Sequence, residues 1–392
     1  MQPLCSILIA ALCAGLLAVH AMAQTAPDEF TAATPSASRA SLQPAAVLEV
    51  MESVADFALA NPEAISPSNR KRTEWTWAAF YTGMMALGNI STNPAYLAAM
   101  RRMGESNQWQ LGARKFDADD HCVGQTYADL FLRYRDAAMI KPMQKVFDDI
   151  LANPTEVQSL EFTRTQARAR ENWSWCDALF MGPPAWVRLW KATDDPRYLD
   201  FAVTNWWRTS DYLNDTSEHL YFRDSTFFDK REANGRKVFW SRGNGWVMAG
   251  LVRVLQFLPE DHAVRDRFLQ QYREMAERIL TCQQPDGLWR ASLLDPASYP
   301  LKETSGSSFY TYAIAWGVNR GLLERDKFGP AARQAWAALV ECVTPEGRLT
   351  HVQPVGSDPK QFDPNTTETY GIGAFLLAGS EIHQLIQTQK SP

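Results

Sequence analysis

One kind of junction recurs along the chain and constrains its fold more than any other feature. A polar cluster of small residues opens an apolar helical run at "TEWTWAAFYTGMMAL" near 73, "DDHCVGQTYADLF" near 119 and "WCDALFMGPPAWVRLW" near 175. The same happens at "SRGNGWVMAGLVRVL" near 241, "TSGSSFYTYAIAWGV" near 304 and "TTETYGIGAFLLAG" near 366. The steps between them are roughly 45 to 65 residues, the size of a helical hairpin with its loops. Each opening run is apolar nearly all round, as a buried inner helix must be. The intervening runs, such as "RDRFLQQYREMAERILTC" and "PRYLDFAVTNWWRTSDYL", are apolar only at three- and four-residue spacing, as outer helices are.

Six such hairpins arranged in a ring give an all-α (α/α)6 barrel. A ring buries both ends of the array, which an open solenoid leaves bare. Short strands are expected only in loops, at "GLWRASLL" and "GRLTHVQPV", each after a Pro-x-Gly turn signal. In a ring, all six polar clusters lie at one end and line one pocket.

The chain begins with an apolar run ending in Ala21-Met22-Ala23, an A-x-A cleavage pattern. Residues 1–23 are therefore expected to be a signal peptide, 24–45 a flexible segment and 46–388 the barrel. No later segment offers the roughly 18 uninterrupted apolar residues of a membrane span. The mature chain is expected in the periplasm or secreted, without membrane attachment once the signal is removed. Cys122, Cys176, Cys282 and Cys342 are widely spaced with no C-x-x-C pair, which argues against a zinc site and leaves disulfides and buried thiols both open. The net charge of −5 argues against nucleic acid as a partner. The 14 Trp and 12 Tyr suit a sugar site, although most must be core.

The clusters bring Asp119, Asp120, His121, Trp175, Asp177, Arg242, Asn244 and Trp246 toward the pocket, with Ser305, Ser307, Tyr310, Thr367, Glu368 and Tyr370 from the last two hairpins. Glycoside chemistry needs a carboxylic acid to donate a proton and a carboxylate to steer water. An Arg fork suits a substrate carboxylate. Each residue also has a structural alternative. Asp177 and one of Asp119 and Asp120 are natural helix caps, Arg242 can pair with a structural acid, and His121 is a hydrogen-bonded pocket residue rather than a metal ligand.

"WSWCDALFMGPPAWVRLW" and "VFWSRGNGWVMAGLVRVL" resemble the unsaturated rhamnogalacturonyl hydrolases, glycoside hydrolase family 105, which are related to the family 88 unsaturated glucuronyl hydrolases. The resemblance covers about residues 46–385. It implies an (α/α)6 barrel that removes a 4,5-unsaturated uronic acid from the non-reducing end of lyase-generated oligosaccharides. The route it implies is hydration of the C4=C5 vinyl ether, with no metal or organic cofactor. Carried onto this chain, it makes Asp177 the general acid and base and Asp120 a second acid. Trp175, Arg242, Trp246 and His121 become substrate-binding residues, and Asp224 or Arg223 stands where relatives often carry a loop His. The alternatives are a conventional inverting glycosidase using Asp177 and Asp120, and a non-catalytic sugar-binding barrel. A two-histidine epimerase is disfavoured because, after residue 23, only His121 falls in an opening cluster. The aglycone sugar, the source polysaccharide and the oligomeric state are not fixed by the sequence.

Overall fold

The computed structural model describes residues 42–66, 70–163, 168 and 170–388. The expected signal peptide and most of the flexible segment lie outside the described residues. The first helix begins at Pro44, two residues before the expected domain start, because proline fits the first helical position, where its missing N–H costs nothing.

Outer and inner helices alternate along the chain. Outer α1 (Pro44–Ala60) leads to inner α2 (Trp75–Ile90), and outer α3 (Ala95–Ser106) to the inner pair α4 (Ala118–His121) and α5 (Gly124–Tyr134). Outer α6 (Lys141–Ala152) leads to the inner pair α7 (Ala178–Met181) and α8 (Pro183–Thr193), and outer α9 (Pro196–Leu213) to inner α10 (Ser241–Leu255). Outer α11 (Arg265–Leu280) precedes inner α12 (Thr304–Asn319), and outer α13 (Arg325–Val340) precedes inner α14 (Thr369–Gln387). Every residue of α10 is buried, whereas α11 buries only Phe268, Gln271, Tyr272, Met275, Ala276 and Ile279, a single face at helical spacing.

The ring closes between the first and last inner helices. A Cβ added to Gly83 of α2 would lie 2.3 Å from the Gly373 carbonyl oxygen of α14, so the two backbones meet without intervening side chains. Trp75 and Tyr370, near the starts of these two helices, stack with ring centroids 5.2 Å apart. The third inner position is broken where Gly182-Pro183-Pro184 interrupts it: α7 stops at Met181, and Pro183 opens α8.

Strand content is smaller than the sequence suggested. Asn214–Asp215 pairs antiparallel with Leu220–Tyr221. The two expected strands shrink to single bridges, Trp240 with Ser292 and Val343 with Leu349. Their backbones are drawn instead to the inner-helix starts and neighbouring loops. Ser307 Oγ accepts from Trp289 N, the Ala291 carbonyl accepts from Ser241 N, and the His351 carbonyl accepts from Thr304 N. Backbone groups satisfied this way have no ladder left to build. Cys122, Cys176, Cys282 and Cys342 are buried free thiols, and no helix among the described residues is long and apolar enough to cross a membrane.

Candidate active site

The starts of the inner helices surround a cavity of about 380 Å³. Five cationic side chains (Arg70, Lys71, Arg114, Arg170, Arg223) and four carboxylates (Glu74, Asp119, Asp120, Asp177) line it. A chain with net charge −5 thus has an active-site lining with no negative excess, which suits an anionic substrate.

Asp177 is placed by the turn into α7, and its side chain caps nothing. Its carboxylate lies 3.6 Å from Arg223 Nε and 3.5 Å from Cys176 Sγ. The backbone around it is pinned from the neighbouring loop, where Cys176 N donates to the Arg223 carbonyl at 2.8 Å and Trp175 bridges Asp224. The capping role open to Asp119 or Asp120 falls to Asp117, whose Oδ1 accepts from Asp119 N at 3.0 Å.

Asp120 is held by Arg114 through both carboxylate oxygens, with Nη2 2.6 Å from Oδ1 and the backbone N 2.6 Å from Oδ2. Asp119 is buried, with Oδ2 3.1 Å from Arg170 Nη1. Burial first, then the charges of Asp117 and Asp177, push the Asp119 carboxyl up to about 7 against the pull of Arg170 and Arg114. Asp119, Asp120 and Asp177 all line the cavity, with both oxygens of Asp120 taken by Arg114. The family resemblance gives the second acid's role to Asp120, and the cavity holds Asp119 beside it. The D-x-D spacing of 117 and 119, a cap two residues before the acid, was the available signal.

Of the other expected contacts, Trp175 lines the cavity, with the Arg170 guanidinium 5.0 Å over its ring. Four residues lie behind the wall. Arg242 is fully buried between Trp240 and Tyr370, its Nη1 and Nη2 donating to the carbonyls of Gln353 at 2.5 Å and Pro354 at 2.8 Å. It thereby carries the Val355-Gly356 segment of the cavity wall. Trp246 packs in an aromatic cluster, 4.3 Å from Phe309 and 4.8 Å from Phe180 between centroids. His121 sits between the Lys115 carbonyl at 2.8 Å and Trp186 Nε1 at 3.2 Å, and burial pushes its pKa down to about 4, so it is neutral. Its partners assign the proton to Nε2. Asp224 is fully buried, accepting from Arg223 Nη1 at 2.6 Å and from Thr226 N at 2.9 Å. It is Arg223, steadied by Asp224, that reaches the cavity. Arg114 and Arg170 carry no signal in the sequence, because both stand in loops whose path no periodicity predicts.

An (α/α)6 barrel whose cavity pairs acids with cations suits an enzyme of anionic sugars, and the family match makes the class a glycoside hydrolase. The chain belongs to Glycosyl Hydrolase Family 88, whose model matches residues 50–386. It is 36% identical over 347 residues to an unsaturated 3S-rhamnoglycuronyl hydrolase of Alteromonas sp. (strain LOR), covering 84% of each chain. It is 38% identical over 321 residues to the protein of that name from Formosa agariphila, covering 80% of this chain and 85% of the other. A glycosyl hydrolase family 88 structure from Bacteroides vulgatus superposes with a TM-score of 0.78 at 30% identity, over 88% of this chain and 99% of that one.

Proposed function

We propose that this enzyme removes a 4,5-unsaturated uronate from the non-reducing end of a lyase-generated oligosaccharide by hydrating its C4=C5 bond. The observation that carries the reading is the Asp119–Asp177 pair facing one cavity between Arg170 and Arg223. Arg170 and Arg223 supply charge for the uronate carboxylate. Asp177 gives its proton to C4 and, as a carboxylate, takes one from the water that adds at C5. The resulting C5 hemiketal opens, and the aglycone leaves with its oxygen. Asp119, whose carboxyl burial and the neighbouring Asp117 charge push up to about 7, lines the same cavity as a second acid.

The relatives named rhamnoglycuronyl hydrolases support rhamnose as the aglycone class. The A-x-A pattern at 21–23 supports secretion, which Edman sequencing of the mature N-terminus tests. The activity is tested by following the vinyl-ether absorbance of lyase-generated disaccharides. A falling band with release of the aglycone supports hydration. An unchanged band with cleavage marks a conventional glycosidase, and an unchanged band without cleavage a binding protein.

A further inference from the structure

A second depression, about 1040 Å³, lies on the surface beside the catalytic cavity, between the end of α3 and the exposed face of α6. Gly112 and Ala113 line both spaces, so they form the divide between them. The divide is low for a definite reason. A Cβ at Gly112 would come within 2.2 Å of Asp120 Cγ, so only glycine lets the chain lie flat on that carboxylate, and the next residue carries a single exposed methyl group. A substrate leaving the cavity meets no bulky side chain at this crossing.

The groove offers amides from Gln108, Gln110 and Gln144, and ammonium groups from Lys141 and Lys145. Its two carboxylates are already answered. Asp149 pairs with Lys115 at 2.6 Å, and Asp148 accepts from Tyr198 Oη at 2.8 Å and Arg197 Nη2 at 3.3 Å. Lys141 and Lys145 are exposed, stand one helical turn apart on α6, and have no ion pair among the described residues. The unanswered charge in the groove is therefore positive, and it is displayed at a spacing that two groups on one ligand can meet.

We propose that this groove binds the continuation of the substrate beyond the sugar next to the uronate. The ligand is an oligosaccharide of at least four sugars whose distal units carry carboxylate or sulfate groups, held by Lys141 and Lys145, with the glutamine amides on its hydroxyls. This rests on the reading of the catalytic cavity given above. It makes the enzyme prefer long lyase products to the shortest ones.

The test compares an unsaturated disaccharide with the tetrasaccharide of the same anionic polymer, following loss of the vinyl-ether band. It uses the wild type and the double variant Lys141→Gln/Lys145→Gln. The expected wild-type kcat/KM is about 2- to 10-fold higher for the tetrasaccharide, the size two exposed charge contacts supply. The double variant should lose that advantage with its disaccharide constants unchanged, and added salt should erode the advantage in the wild type. Equal kcat/KM for both lengths, or an advantage that survives in the double variant, overturns the groove while leaving hydration standing. If neither substrate loses its band, hydration fails and the groove fails with it.

Discussion

Arg114 and Asp120 are locked together: the guanidinium and the backbone N–H of one residue take both carboxylate oxygens of the other. Asp119, one residue earlier, shares the cavity with Asp177 and is held by Arg170 instead. The two neighbours should therefore fail differently. Asp120→Asn should lower stability by about 1–3 kcal/mol, as loss of a charge-assisted hydrogen-bonding partner does. Asp119→Asn should leave the melting temperature at pH 5 near that of the wild type and abolish most turnover. Thermal melts and kinetics on both variants check this. A folded Asp119→Asn enzyme of normal activity returns the second catalytic role to Asp120.

Asp177→Asn should keep the fold, since the Asp177 side chain caps no helix amide. Turnover should fall about 10²- to 10⁴-fold, the usual contribution of a positioned acid–base group. Circular dichroism and the initial rate of vinyl-ether loss measure the two halves of that statement.

Arg242 separates the wall from the reaction. With its guanidinium on the Gln353 and Pro354 carbonyls, Arg242→Met should speed hydrogen exchange around 353–356 and raise KM. It should leave kcat less affected. A fall in kcat with unchanged KM and exchange would mean that Arg242 contacts the reacting sugar.

The pH dependence follows from the raised Asp119 carboxyl. Its folded pKa of about 7 lies above the ordinary carboxylate value, so the folded state holds that proton between about pH 4 and 7. The associated stability is complete below the unfolded pKa and is lost as pH rises through about 7. Glu368, buried with Oε2 unpartnered and also pushed up to about 7 by burial, adds a contribution of the same sign. Melting temperature should therefore decline from pH 5 to 8, and less steeply in Asp119→Asn and in Glu368→Gln. kcat/KM should decline over the upper part of that range, because ionised Asp119 sets a negative charge in the cavity against the uronate. A melting temperature that rises from pH 5 to 8 contradicts the assignment.

The barrel was legible because its signal is periodic and repeated. Each of the six opening clusters begins an inner helix of the ring, and α10 and α12 are buried along nearly their whole length, as their all-round apolarity required. The site was legible only in part. Asp177 and Trp175 follow from their place at an inner-helix start. What each of two adjacent acids is bound to depends on Asp117 capping α4 and on Arg114 claiming Asp120, contacts that spacing alone does not encode. Arg242 and Trp246 lie behind the cavity wall for a related reason. A residue at the start of an inner helix can point along the barrel wall as well as into the pocket, and Gln353 and Pro354 reach Arg242 from more than a hundred residues away.

The hydration route is tested most directly by running the reaction in deuterium oxide and locating the label in the released uronate. Asp177, exchanged with solvent, should place one deuterium on C4, and the C4=C5 bond should be gone from the first product detected by proton NMR. A product released with that double bond intact and no label at C4 would contradict hydration.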